Sequence, residues 1–196
     1  MTTERRHKNN FLIVGIGASA GGVQPIKTLC SLLTKDCYAA YIIVHHFPPG
    51  KKSELTLLLS GICKLPVMNI KDNDTIMPYT IYVLEINENL AIANNKFKIS
   101  KRKHGKNETI NYFFSSLAVV AQHRAVAIVL SGAGSDGAEG CKQVIENGGS
   151  VIIQNPASAQ HEGMPLNSIH HEHHEYILSP EDMPAAITRL QSQLQT

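Results

Sequence analysis

Residues 11–22, FLIVGIGASAGG, constrain the fold more tightly than any other stretch of the chain. Phe11 to Val14 are apolar, partly β-branched and bounded by glycine, which is the pattern of a short buried strand. Gly15, Gly17, Gly21 and Gly22 then allow a tight turn in which close backbone approach costs little. Within it, Gly17-Ala18-Ser19-Ala20-Gly21 fits G-x-S-x-G, a strand-to-helix turn that lifts a serine Oγ above the end of a sheet. A helix beginning at about Gly22 would aim unpaired N–H groups at the same place, where an oxyanion would form. Two other readings fit these residues. Gly15-x-Gly17-x-x-Ala20 satisfies the relaxed dinucleotide fingerprint, but at the second strand end, where that fingerprint wants an acid, stand His45-His46. The glycines would also be needed if they only let helix and strand pack closely, with Ser19 an ordinary turn residue.

The remaining chain alternates strand and helix signals. Val23–Leu33 has helical spacing, Ala39–Val44 is an apolar strand, and a helix around Ser53–Ser60 starts at a serine N-cap candidate. Between Pro66 and Ser100 the segments VMNI, TIYVLEI, NLAIA and KFKIS predict a third strand and then an inserted meander or hairpin. Asp72 and Asp74 fall in a polar turn there, without an evident partner. Thr109–Gln122 returns to helical periodicity, and Val126–Leu130 is apolar enough for a central strand. A second glycine-rich turn, Ser131–Gly137, leads to a helix through Val144–Glu146 that Gly148-Gly149 stop, and Ser150–Ile153 is a further strand. Tyr176–Leu178 reads as the last strand, and Ser179-Pro180-Glu181-Asp182 as a helix start with proline at its first position. This βα order predicts a doubly wound, mainly parallel α/β sheet, Rossmann-like, with a small inserted hairpin or meander. The reading is a flexible tail at 1–10 and one domain at 11–196; with 43% hydrophobic residues such a chain can bury a sizeable core.

A formal charge of +2 gives no electrostatic case for nucleic-acid binding, and no apolar run approaches a membrane span. MTTERRHKNN has no signal-peptide h-region, so a cytoplasmic location is expected. Cys30, Cys37, Cys63 and Cys141 form no C-x-x-C pair and read as free thiols. In an open parallel sheet, ligands bind outside the carboxyl ends of the strands. Three such ends carry Ser19, His45-His46 and Asp136. Serine, histidine and aspartate along one edge is the composition of a hydrolytic triad.

Three blocks carry a resemblance. Gly15-Ile16-Gly17-Ala18-Ser19-Ala20-Gly21-Gly22, His45-His46-Phe47-Pro48-Pro49-Gly50 and Leu130–Ala138 resemble, in order and spacing, the catalytic domain of the CheB-like protein-glutamate methylesterases of chemotaxis. Gln154–Ala159 and Gly163-Met164-Pro165 are similar to further blocks of that family. Phe113–Ala118 and Tyr176–Pro184 look closest to the branch fused to a receptor methyltransferase. The resemblance implies Ser19 as nucleophile, His46 rather than His45 as base, Asp136 as its orienter, and an oxyanion donor at about Ala133, with Gly134 and Ala20 as the other oxyanion and turn residues. It implies cytoplasmic hydrolysis of glutamyl γ-methyl esters on chemoreceptor-like proteins, with glutamine deamidation in some members, and no cofactor. It also implies signalling partners: the methylated substrate and, with no receiver domain ahead of residue 11, a separate regulatory or methyltransferase partner.

Some positions depart from the family. Asn107-Glu108-Thr109-Ile110-Asn111 replaces an Arg-Pro-Ser-x-Asp segment, and Leu166 stands where arginine is usual. These changes motivate the alternative of an idle or retargeted module that binds a signalling partner without turnover. His170-His171-Glu172-His173-His174 would place His170 and His174 on one helical face able to hold Zn²⁺ or Ni²⁺, but with no third ligand in view the tract reads as solvated and no metal is expected. Lys96–Lys106 reads as a charged strand edge followed by a solvated loop.

Overall fold

The computed structural model describes residues 10–47, 53–102, 108–170 and 174–194. The expected flexible tail therefore lies, but for Asn10, outside the described residues. In chain order the elements are β1 (Leu12–Ala18), α1 (Val23–Leu32), β2 (Ala39–His45), α2 (Leu55–Ser60), β3 (Val67–Asn69), β4 (Ile81–Leu84), β5 (Asn89–Ala93) and β6 (Lys96–Ser100). They continue with α3 (Thr109–Ala121), β7 (Ala125–Val129), α4 (Ala138–Glu146), β8 (Ser150–Gln154), α5 (Gly163–His170), β9 (Tyr176–Leu178) and α6 (Met183–Gln193). Among the described residues none of these helices is long and apolar enough to cross a membrane. All four cysteines are free thiols.

Seven strands form one parallel sheet in the order β3-β4-β2-β1-β7-β8-β9, and β5 and β6 pair separately as an antiparallel hairpin. The winding reverses at β1, which lies between β2 and β7. The crevice where an open sheet binds ligands is thus bounded by the loops after β1, β2 and β7. The α/β expectation holds, with one correction inside it. TIYVLEI is not part of a meander: its core is β4, parallel to both β2 and β3, and only 89–100 is inserted. Ile81–Leu84 are buried at every position, so both faces of this strand need cover and it belongs inside the sheet.

The hairpin has one buried face. Leu90, Ile92 and Phe97 pack into the cluster that contains Phe113 and Leu117 of α3, while Lys96, Lys98 and Ser100 face solvent. Asp72 has a partner after all, since its Oδ1 accepts the Ile99 N–H at 2.8 Å and caps one edge of the hairpin. The last helix starts later than expected. Ser179 Oγ donates to Asp182 at 2.6 Å, closing a turn ahead of α6, and the helical proline is Pro184 rather than Pro180. Helix α5 spans Gly163–His170; His171–His173 lie outside the described residues, and with them the helical face that His170 and His174 would share.

β1 is buried throughout because both its faces are covered. Leu12, Val14, Ile16 and Ala18 meet the cluster that includes Ile26 and Leu29 of α1, and Ile187 of α6. The alternate positions face α3, and there the sequence places Gly15 and Gly17. A Cβ on Gly17 would stand 2.5 Å from Ile110 Cγ2, and one on Gly15 would stand 2.8 Å from the Phe113 ring. Close packing is therefore a sufficient reason for these two glycines, and it seats the first turn of α3 over the end of β1. Gly17→Ala should cost roughly 1–3 kcal/mol, the range for overpacking a filled core. A thermal or urea melt would read the loss, and an unchanged midpoint would show that α3 can retreat without penalty.

Candidate active site

The three strand ends named by the sequence adjoin one another. Ser19 follows β1 directly, and its N–H donates to Ser131 O at 3.0 Å, which joins the β1 and β7 loops. Its carbonyl accepts from Gly22 N at 2.9 Å and lies 3.0 Å from His45 Nε2, which must therefore carry the proton. The Ser19 backbone is thus fixed from three sides. Its partly exposed hydroxyl makes no hydrogen bond among the described residues. Gly132 must be glycine for this arrangement: a Cβ there would overlap Met164 Sδ and stand 2.9 Å from Ser19 Cβ.

His45 and His46 separate in role by position. Burial pushes the His45 imidazole below the ordinary histidine range, the bond to the Ser19 carbonyl opposes this, and the neighbouring His46 adds to it. His45 is a neutral donor to the backbone of the serine turn. The backbone N–H of His46 donates to Ala18 O at 3.0 Å, and its ring meets different partners. His46 Nε2 stands 2.9 Å from Asp136 Oδ2 and 3.0 Å from Thr109 Oγ1. A carboxylate accepts, so Nε2 bears the hydrogen and Nδ1 is the ring nitrogen with a lone pair to offer.

Asp136 is 8% exposed, and its charge is met by the start of α3. Ile110 N donates to Oδ2 at 3.0 Å and Asn111 N to Oδ1 at 2.9 Å. These are unpaired first-turn amides at the positive end of a helix, a favourable place for a carboxylate. The Asn111 side chain completes the joint, since its Oδ1 accepts from Gly137 N and Gly140 N, both at 2.9 Å. Gly137 has φ of 102°, a left-handed conformation that suits glycine and lets the chain turn from Asp136 into α4.

A cleft of about 260 Å³ is lined by His46, Glu108, Asn111, Asp136 and the turn Ala133–Ser135. The N–H groups of Ala133 and Gly134 donate to nothing among the described residues, and neither does that of exposed Ala20. These are the donors an oxyanion would need. Two buried side chains fix the turn behind them. Gln154 Oε1 accepts Ser131 N at 2.8 Å, and Ser131 Oγ donates to Ala20 O at 3.0 Å while accepting His161 N at 3.0 Å. Met164 N donates to Gly132 O at 2.8 Å, which gives the Gly163-Met164-Pro165 block its place beside Ser19.

Of the expected residues, then, His46 and Asp136 are in contact, and Ser19 adjoins them through the backbone but without a hydrogen bond from its hydroxyl to either histidine. Catalytic contacts of this kind commonly tighten only when substrate is bound. Sequence reasoning missed Thr109 and Asn111, which it noted only as departures from a motif. The signal was available: both are polar residues in the first turn of a helix, where free amides invite an anion. Ser131 and Gln154 stood in quoted blocks without a role. Chemically the arrangement offers an accessible hydroxyl, a positioned base and unpaired amides, the parts that acyl transfer requires.

Comparison with known proteins gives a consistent result. The family model described as CheB methylesterase matches residues 14–187. A protein of Leptospira interrogans named a putative protein-glutamate methylesterase/protein-glutamine glutaminase is 29% identical over 184 residues, 92% of this chain and 95% of that protein. A protein-glutamate methylesterase/protein-glutamine glutaminase of Methanospirillum hungatei is 33% identical over 156 residues, 78% of this chain but 45% of that protein. The crystal structure of the Thermotoga maritima CheB methylesterase catalytic domain superposes with a TM-score of 0.86 at 26% identity, covering 92% of this chain and 98% of that one.

Proposed function

The chain belongs to the CheB methylesterase family, and from that premise we propose that it hydrolyses glutamyl γ-methyl esters on a chemoreceptor-like protein with Ser19, His46 and Asp136 as its triad. The observation that carries this reading is the His46–Asp136 pair at 2.9 Å, beside a serine hydroxyl and turn amides that have no hydrogen-bond partner among the described residues. Ser19 Oγ attacks the ester carbonyl while His46 Nδ1 takes its proton. Asp136 keeps the Nε2–H in place and faces the imidazolium as it forms. The N–H of Ala133, with those of Gly134 and Ala20 near at hand, receives the oxyanion. Collapse breaks the bond to the methoxy oxygen, which leaves as methanol with the proton from His46. Water, deprotonated by the same imidazole, then releases the glutamate carboxylate and restores Ser19. The same steps applied to glutamine would release ammonia, which supports a second, deamidating activity. Phe113–Ala118 and Tyr176–Pro184 support placing the chain with the branch fused to receptor methyltransferases.

A methylated chemoreceptor fragment and a fluorophosphonate that labels activated serines test the reading together. Methanol should be released, and release should fall in proportion to label found on Ser19 by peptide mass spectrometry. Hydrolysis that survives complete labelling of Ser19 would remove this residue from the mechanism, and a folded protein that neither reacts nor releases methanol would leave it as a binding module.

A further inference from the structure

One task in the site is unassigned. Proton transfer requires that His46 Nδ1 point at Ser19 Oγ, yet no hydrogen bond from the serine holds the ring there. A single bond from Nε2 to Asp136 fixes one atom of the imidazole and allows the ring to swing about it. Displacements of about 1 Å in such a constellation cost on the order of 10²-fold in rate. The second atom that meets Nε2 is Thr109 Oγ1, at 3.0 Å. Because Nε2 already carries a hydrogen for the carboxylate, it has no lone pair left, and the threonine oxygen can act toward it only as an acceptor.

Thr109 is well placed to be rigid. It is 4% exposed, it opens α3, and the next two residues of that turn donate their N–H groups to Asp136. One helical turn thus grips both the carboxylate and the imidazole. We propose that Thr109 is a positioning residue for the hydrolysis: its hydroxyl shares the Nε2–H of His46 with Asp136, and the two acceptors together set the ring plane that turns Nδ1 toward Ser19. This rests on the hydrolytic reading above. Thr109 does not touch the reacting atoms and acts only through His46.

Thr109→Val keeps the shape of the side chain and removes the acceptor, while Thr109→Ser keeps the acceptor and removes a methyl group. In the methanol-release assay Thr109→Val should lower kcat by roughly 10- to 100-fold with KM nearly unchanged, and Thr109→Ser should recover most of the rate. Nitrogen-15 NMR of the histidine side chains should show His46 as the Nε2–H form in wild type and Thr109→Ser. In Thr109→Val its Nε2–H signal should shift or broaden. A Thr109→Val enzyme with wild-type kcat overturns the proposal, as does a rate loss in Thr109→Val that Thr109→Ser shares in full. If wild type itself releases no methanol, the hydrolytic reading fails separately, and the NMR still decides: a His46 signal indifferent to Thr109→Val overturns the clamp, and one that moves and is restored by serine upholds it.

Discussion

Ser19→Ala is expected to lower kcat for methanol release by on the order of 10⁵-fold or more while leaving stability within about 0.5 kcal/mol of wild type. The two halves of that expectation come from different atoms. The Ser19 backbone is tied to Ser131, Gly22 and His45, and all three contacts survive in alanine. Among the described residues the hydroxyl has no hydrogen bond to lose, and it is partly exposed, so its removal neither orphans a partner there nor opens a cavity. A side chain with no structural employment, at the end of a central strand, is well suited to chemistry. Adding His46→Ala to Ser19→Ala should cost little more, because members of a triad act as a unit and their losses do not add. Kinetics on the single and double variants with a thermal melt would check both halves. A Ser19→Ala protein with a markedly lower melting point would make the serine structural, and one with near-wild-type turnover would move the nucleophile elsewhere.

Much of this site was legible from spacing because a parallel sheet converts sequence order into position. An apolar run followed by a polar group marks a strand end, and in a parallel sheet every such end lies on one edge. Ser19, the pair His45-His46 and Asp136 could therefore be placed along that edge from the sequence, while the choice of His46 over His45 rested on the family resemblance. What could not be read was which neighbour each group would meet. Periodicity put Thr109–Asn111 on a helix but not over β1; that follows from Gly15 and Gly17 facing α3, a packing fact whose sequence trace is only the absence of side chains. The alternation in TIYVLEI suggested a meander, but register with β2 and β3 is set by burial on both faces, which a four-residue strand barely records. Local turn chemistry defeated the reading of Pro180 as a helix start, since the Ser179–Asp182 bond closes a turn before the helix begins.

Asp136→Asn is expected to differ from Ser19→Ala by damaging rate and stability together. The carboxylate accepts three hydrogen bonds: Ile110 N and His46 Nε2 converge on Oδ2, and Asn111 N takes Oδ1. An amide offers one acceptor and one donor, and neither way of placing it suits this set. With its oxygen at the Oδ2 position, His46 keeps its tautomer, but the NH₂ group confronts the Asn111 N–H, donor against donor. With its oxygen at the Oδ1 position, the NH₂ faces both Ile110 N–H and His46. The imidazole must then move its proton to Nδ1 to accept from the amide, and Nδ1 no longer has a lone pair for Ser19. The first placement costs the half-buried Asn111 amide its partner, and the second costs the buried Ile110 amide its partner and the base as well. A loss of about 1–3 kcal/mol in stability follows from the unpaired donor. A loss in kcat near 10⁴-fold is the scale for the wrong tautomer. Melting and methanol release measured on the same preparation separate the contributions. Lost turnover at unchanged stability would mean that the start of α3 does not depend on the charge of Asp136. Lost stability at unchanged turnover would mean that the asparagine takes the first placement, its oxygen still accepting from His46 Nε2 beside Thr109 and the base keeping its tautomer.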